Sequence, residues 1–207
     1  MQGKIICMRS IYLVLVVCFL ASCGDETPPI THHHDINKEV KSNEAKTPAT
    51  PITSNLGSEG TPKLMGVINR YYDLKNAMVA TNATTARDAA QHLTLAADSL
   101  LTVISDAATS HTALKPYLDT IIKKTIMIAA VTDATCEKQR VSFEAVSNNL
   151  YRILKETDIK NAGIYHEFCP MAFNDKGAYW LSNDPDIKNP YFGKKMLECG
   201  EVIDSMK

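Results

Sequence analysis

The chain has 207 residues, 45% of them hydrophobic and 22% charged, with a formal net charge of -1. These values are ordinary for a soluble globular protein, and the length suits one domain with additional segments. Without a basic excess or a charged tail, nothing points to a nucleic-acid partner.

Residues 1–22 read as a bacterial lipoprotein signal peptide. Lys4 and Arg9 supply positive charge, and Ile11 to Leu20 is an apolar run too short for a bilayer, which takes about 20 residues. Leu20-Ala21-Ser22-Cys23 resembles a lipobox, in which Cys23 carries lipid and becomes the mature N-terminus. The alternative is an ordinary signal peptide with a chance cysteine. The lipobox implies export and a lipid anchor in the bacterial cell envelope, on a periplasmic or outer-membrane face. Of six cysteines, Cys136, Cys169 and Cys199 then remain free of leader and lipid. An odd remainder leaves at least one outside any intramolecular disulfide.

Residues 23–60 form a lipidated terminus and linker rich in Pro, Thr, Ser, Asn, Lys and Glu, with no periodicity to bury. The His32–His34 tract within it is a solvated patch, or a loose metal catch without rigid geometry.

The folded part is expected to be mainly α. An antiparallel four-helix bundle over residues 61–158 is followed by a small irregular C-terminal module, residues 159–207, made of a hairpin plus a short helix packed on the bundle. Thr61-Pro62 reads as an N-cap and first helical position. Leu64, Val67, Ile68, Tyr71, Leu74 and Met78 then recur at helical spacing. Thr84 or Thr85 caps a second helix carrying Ala86, Ala89, Leu93, Ala96, Leu100 and Ile104. A third starts near Pro116 with Leu118, Ile121, Ile122, Ile128 and Ala129. Thr135 caps a fourth with Phe143, Val146, Leu150, Ile153 and Leu154. His92 and His111 have no partner at metal-ligand spacing. Cys136 reads as a buried thiol, the alternative being an activated thiol at a helix N-terminus.

After Asp158 the texture changes. Ile164–Phe173 and Ala178–Ser182 read as strands around Asn174-Asp175-Lys176-Gly177. Lys194–Glu198 reads as a short helix that Gly200 terminates. Cys169 and Met171 share one side of a strand, and Met196 and Cys199 one side of a helical turn. Facing each other, they offer two thiolates and two thioethers, a donor set for Cu(I) or Ag(I) rather than zinc. His166 is an auxiliary ligand, although alternation puts it on the other face. Trp180 is either the hydrophobic anchor of the hairpin or an aromatic shield for a soft cation. The competing readings are a Cys169–Cys199 disulfide stapling a small module, reactive thiols at the same two cysteines, and methionines as core filling. No Cys-x-x-Cys motif, nucleophile–base pair or phosphate loop is present, so the chain reads as a binding protein and not an enzyme.

The tail pattern resembles that of a family of exported bacterial domains of unknown function, the DUF3347 group. Its pattern falls on Tyr165, Cys169, Pro170, Met171, Trp180, Asn189, Pro190, Tyr191, Gly193, Met196, Cys199 and Gly200. Arg140, Phe143 and Ser147 fit its helical part, and the resemblance runs from Lys63 to Lys207. Members occur as lipoproteins or at the end of CusB-like heavy-metal efflux adaptors. The resemblance therefore implies a helical bundle with a heavy-metal module. The partners it suggests are a membrane, through lipid, and an efflux adaptor or pump. The functional expectation is an envelope lipoprotein that binds Cu(I) or Ag(I) for resistance, sequestration or hand-over. The alternative is a non-catalytic structural or docking lipoprotein in which Cys169 and Cys199 are bonded.

Overall fold

A computed structural model describes residues 50–106 and 111–207. The signal peptide, Cys23, His32–His34 and most of the linker lie outside the described residues. The described chain is mainly helical and ends in a small antiparallel sheet.

Four long helices come first: α1 (Gly57–Val79), α2 (Ala83–Asp106), α3 (Lys115–Ala130) and α4 (Glu137–Glu156). Consecutive helices pack on one another. Their expected stripes are the ones buried. Leu64, Val67, Ile68, Tyr71, Leu74 and Met78 line α1, and Phe143, Val146, Leu150, Ile153 and Leu154 line α4, all with essentially no exposed surface. Small residues Ala86, Ala89, Ala90 and Ala97 on α2 are also buried, which lets its neighbours approach closely.

The helix starts differ from those the cap signals predict. α1 begins at Gly57, so Thr61 and Pro62 stand inside it, and the Thr61 hydroxyl pairs with the Ser54 hydroxyl at 2.7 Å. For α2 the capping side chain is Asn82, whose Oδ1 accepts the Thr85 amide at 3.1 Å. Ahead of α4, Thr135 donates to Asp133 instead of capping. Cys136 takes the left-handed turn into the helix at φ 62°. At α2 a neighbouring side chain takes the first-turn amide in place of the expected hydroxyl, whereas at α1 and α4 the expected hydroxyls are engaged with Ser54 and Asp133 and no side chain caps the first turn.

The segment before α1 is tied to the far end of α4. Thr53 and Lys160 exchange backbone hydrogen bonds at 3.3 and 2.9 Å. Asn55 donates its amide to the Thr157 carbonyl and its side chain to the Glu156 carbonyl, and Asn161 donates to the Pro51 carbonyl.

The tail holds β1 (Ile164–Cys169), β2 (Ala178–Ser182) and β3 (Glu201–Met206), in the order β2-β1-β3, all antiparallel. The expected hairpin is there, but β1 stops at Cys169 rather than Phe173. Ala172–Asp175 makes one helical turn, in which Phe173, Asn174 and Asp175 take left-handed φ of 52–63°. The predicted helix at Lys194–Glu198 is instead a 3₁₀ turn, Gly193–Lys195. Gly200 leads into β3, a strand the sequence reading missed. With Val202 and Ile203 both well exposed, β3 shows none of the alternation by which a half-buried strand is recognised.

Candidate functional site

The tail is held to the helices by a run of aromatic and polar contacts. Phe143 of α4 stacks on Tyr71 of α1 at 5.3 Å and meets Tyr191 at 5.8 Å, and Tyr191 in turn meets Trp180 edge-on at 6.0 Å. The Tyr71 hydroxyl pairs with Ser147 at 2.8 Å and accepts the Leu181 amide of β2 at 3.1 Å. Arg140 is 7% exposed. Its Nε donates to the Pro190 carbonyl at 2.8 Å, and its Nη2 to the Met78 carbonyl and Thr81 hydroxyl, both at 3.0 Å. Arg140, Phe143 and Ser147, spaced to share one face of α4, are therefore the residues that receive the tail.

Asn189 carries that docking to the sulfurs. It is fully buried. Its Oδ1 accepts the amides of Tyr191 and Phe192, and its Nδ2 donates to the Cys199 carbonyl at 2.6 Å. Gly200 follows at φ +147°, and a Cβ there would lie 2.7 Å from the Trp180 ring and 2.9 Å from the Phe168 carbonyl. Only glycine lets the chain carrying Cys199 pass this close to β1 and Trp180.

Here the two cysteines meet. Cys169 Sγ and Cys199 Sγ stand 2.7 Å apart, from segments otherwise separated by the β2 hairpin and the aromatic turn. Cys169 is wholly buried and Cys199 half-buried, and both are free thiols. The Cys199 thiol is pushed up to about 11, first by its hydrogen bond with Cys169 and then by burial, against the backbone of Met171. Two thiolates on one ion, each about 2.3 Å from it, stand roughly 3.8–4.6 Å apart for tetrahedral to linear geometry. The pair as it stands is closer than that.

Met171 does not extend β1 as expected. It lies just past the strand, 48% exposed, so it is not core filling. Met196 is half-buried, and its carbonyl accepts the Cys199 amide at 3.2 Å. The Met196 backbone thus lies against Cys199, and Met171, two residues past Cys169, brings its backbone to the Cys199 thiol. His166 is not brought to the sulfurs. It lies on the opposite face of β1, stacked between Tyr151 at 3.8 Å and Tyr179 at 5.1 Å, and burial lowers its pKa to about 4. Trp180 has no exposed surface and anchors the hairpin against Tyr191 and Gly200. Cys136 is buried with its thiol pushed up, chiefly by burial, which is the inert reading. Among the described residues, no group of three or more His, Cys, Asp and Glu is placed to hold a metal.

Reading the sequence missed Glu167 and Lys75. Both are buried. Burial pushes the Glu167 carboxyl up to about 7 against the pull of Lys75, and burial lowers Lys75. The Lys75 ammonium donates to the Ser182 hydroxyl at 3.4 Å. Glu167 lies on the same face of β1 as Cys169, and that alternation is the one signal that could have marked it as buried.

Residues 67–162 match a family whose description reads "protein of unknown function" (DUF3347). The matched span opens inside α1, covers α2 to α4 and ends before β1, so Cys169, Met171, Met196 and Cys199 lie beyond it. No curated protein and no solved structure matches the chain. The helical segment from residue 67 to residue 162 is thus the part of the chain that is similar to the DUF3347 family.

Proposed function

We propose that the chain is a lipid-anchored protein of the bacterial envelope whose tail binds a soft metal ion, Cu(I) or Ag(I), for sequestration or hand-over to an efflux adaptor or pump. On this reading an antiparallel four-helix bundle serves as the mount. Cys169 and Cys199 supply the thiolates and Met171 and Met196 the thioethers. The reaction is binding, not catalysis. The observation that carries it is the meeting of two free thiols beside a methionine left exposed. Met171, two residues past Cys169 and half in solvent, leaves its thioether available to a ligand. Loading opens the sulfurs by about an ångström or more and releases the thiol protons.

The test is anaerobic titration of the reduced full chain with Cu(I) against a competing chelator. Cys169→Ser and Cys199→Ser are each expected to weaken binding roughly a hundredfold, and Met171→Ser about tenfold. Binding that survives loss of both cysteines would sink the reading.

The 2.7 Å separation favours a second reading, in which a Cys169–Cys199 disulfide locks the tail of a structural or docking lipoprotein. Non-reducing mass spectrometry of protein taken directly from the envelope under thiol-trapping conditions separates the two. A pair that stays bonded in cells supplied with excess copper supports the lock, and a trapped dithiol supports the metal site.

A further inference from the structure

The two sulfurs are mounted differently. Cys169 sits at the end of β1, the middle strand, with β2 on one edge and β3 on the other, and none of its surface is exposed. Cys199 is half-buried and lies outside regular structure, on the short loop between the 3₁₀ turn and β3. That loop is tied at its carbonyl by Asn189 and bends through Gly200. Of the two, Cys199 is therefore the one a molecule arriving from solvent meets first.

The two states open to the pair also pull the loop in opposite directions. A covalent S–S bond draws the sulfurs in from 2.7 Å to about 2.05 Å. A shared ion drives them apart, to roughly 3.8–4.6 Å. One loop cannot satisfy both, so the bonded and the metal-loaded states exclude each other.

We propose that Cys169 and Cys199 form an exchangeable dithiol, with Cys199 the entry sulfur and Cys169 the resolving sulfur, so that a disulfide-bearing partner in the envelope closes the metal site by oxidation. The gate rests on the soft-metal reading, whereas the order of exchange rests on burial alone. In the first step Cys199 gives up its proton and its thiolate attacks one sulfur of the partner disulfide. The partner S–S bond breaks, one partner thiol leaves with that proton, and Cys199 is held in a mixed disulfide. In the second, Cys169 gives up its proton and attacks the Cys199 sulfur. The mixed disulfide breaks, the intramolecular bond forms, and the second partner thiol leaves with the proton. The pair loses two electrons and two protons and the partner disulfide gains them. A reducing dithiol reverses the sequence, again through Cys199.

The experiment uses the reduced full chain under anaerobic conditions with oxidised glutathione as the probe, and peptide mass mapping to locate adducts. Wild type is expected to reach the intramolecular bond with no lasting adduct. Cys169→Ser is expected to accumulate a stable glutathione adduct at Cys199. In Cys199→Ser, modification of Cys169 is expected to slow by roughly a hundredfold or more. Prior loading with Cu(I) is expected to slow wild-type oxidation about tenfold or more, and the oxidised protein to bind no Cu(I). Circular dichroism and Trp180 fluorescence report whether each variant is folded, with alanine variants as replacements. Equal rates at the two cysteines in folded variants overturn the exchange order, and an oxidised protein that keeps its Cu(I) affinity overturns the gate. Reduced protein that binds no Cu(I) sinks the metal reading and the gate together, while the adduct kinetics still decide the exchange order.

Discussion

The helices and the tail are held together by different kinds of force. From α1 to α4 the interior is a repetition of Leu, Ile, Val and Ala, each burying apolar surface with little dependence on any one neighbour. The tail is small and depends on singular contacts: a guanidinium on a carbonyl, one buried asparagine, one glycine under a tryptophan. Apolar repetition spreads the cost of a change, whereas a hydrogen-bonded clamp concentrates it, because each lost partner leaves a buried polar group unpaired.

The largest effect is therefore expected at the junction. Arg140→Ala strands the buried carbonyl of Pro190 and takes one donor from that of Met78, which keeps the Thr81 amide, at a cost of about 3–4 kcal/mol. Hydrogen exchange should show β1 and β2 opening before α2. Leu93→Ala, in the fully buried stripe of α2, should cost about 3 kcal/mol but lower protection across the helices. If the two variants give the same exchange pattern, the contrast between the regions fails. Next comes Gly200→Ala, expected at about 2 kcal/mol. Its added methyl meets the Trp180 ring and the Phe168 carbonyl, so Trp180 fluorescence should shift and Cys199 should react faster with thiol reagents.

A smaller effect depends on pH. Burial raises the Glu167 carboxyl from 4.5 to about 7, so the folded protein favours its neutral form. That contribution is intact below pH 4.5 and is lost as the pH rises through 7. The loss should be on the order of 1–2 kcal/mol. His166, lowered from 6.5 to about 4 by burial, gives the opposite slope over nearly the same range, so the readout is a difference: in denaturant titrations Glu167→Gln should gain stability relative to wild type as the pH rises from 4.5 to about 7. The smallest change in stability belongs to Met171→Ser, under about 0.5 kcal/mol, since the side chain is half in solvent. A large loss there would mean that Met171 packs as core and would weaken its case as a ligand.

The contrast between regions also explains what could be read from the sequence. The helices were legible because apolar positions at helical spacing leave few alternatives, and Leu64 through Met78 and Phe143 through Leu154 are buried as the periodicity predicts. Their starts were less legible because hydroxyl caps compete with neighbouring side chains, as Asn82 and Asp133 show. In the tail, the pairing of Cys169 with Cys199 was anticipated from residue types. The end of β1 was not, because Phe173 and Asn174 take a left-handed turn that neither side chain announces. Strand β3 was hidden by polar composition, and Gly200 was read as a helix cap although its role is close packing on Trp180. Arg140 stood out only as part of a family pattern. Its function as a clamp depends on Pro190, which is far from it in sequence and close in space.

The ties between the segment before α1 and the end of α4 have a mechanical meaning. Tension applied to the chain at Pro51 does not act first on the opening turn of α1. It loads the Thr53–Lys160 bridge and the Asn55 and Asn161 contacts, at the corner where α4 hands over to β1. A pull from the N-terminal side thus enters the protein at the root of the strand that carries Cys169, and Cys169 lies nearer in the chain to that point of load than does the core of α2.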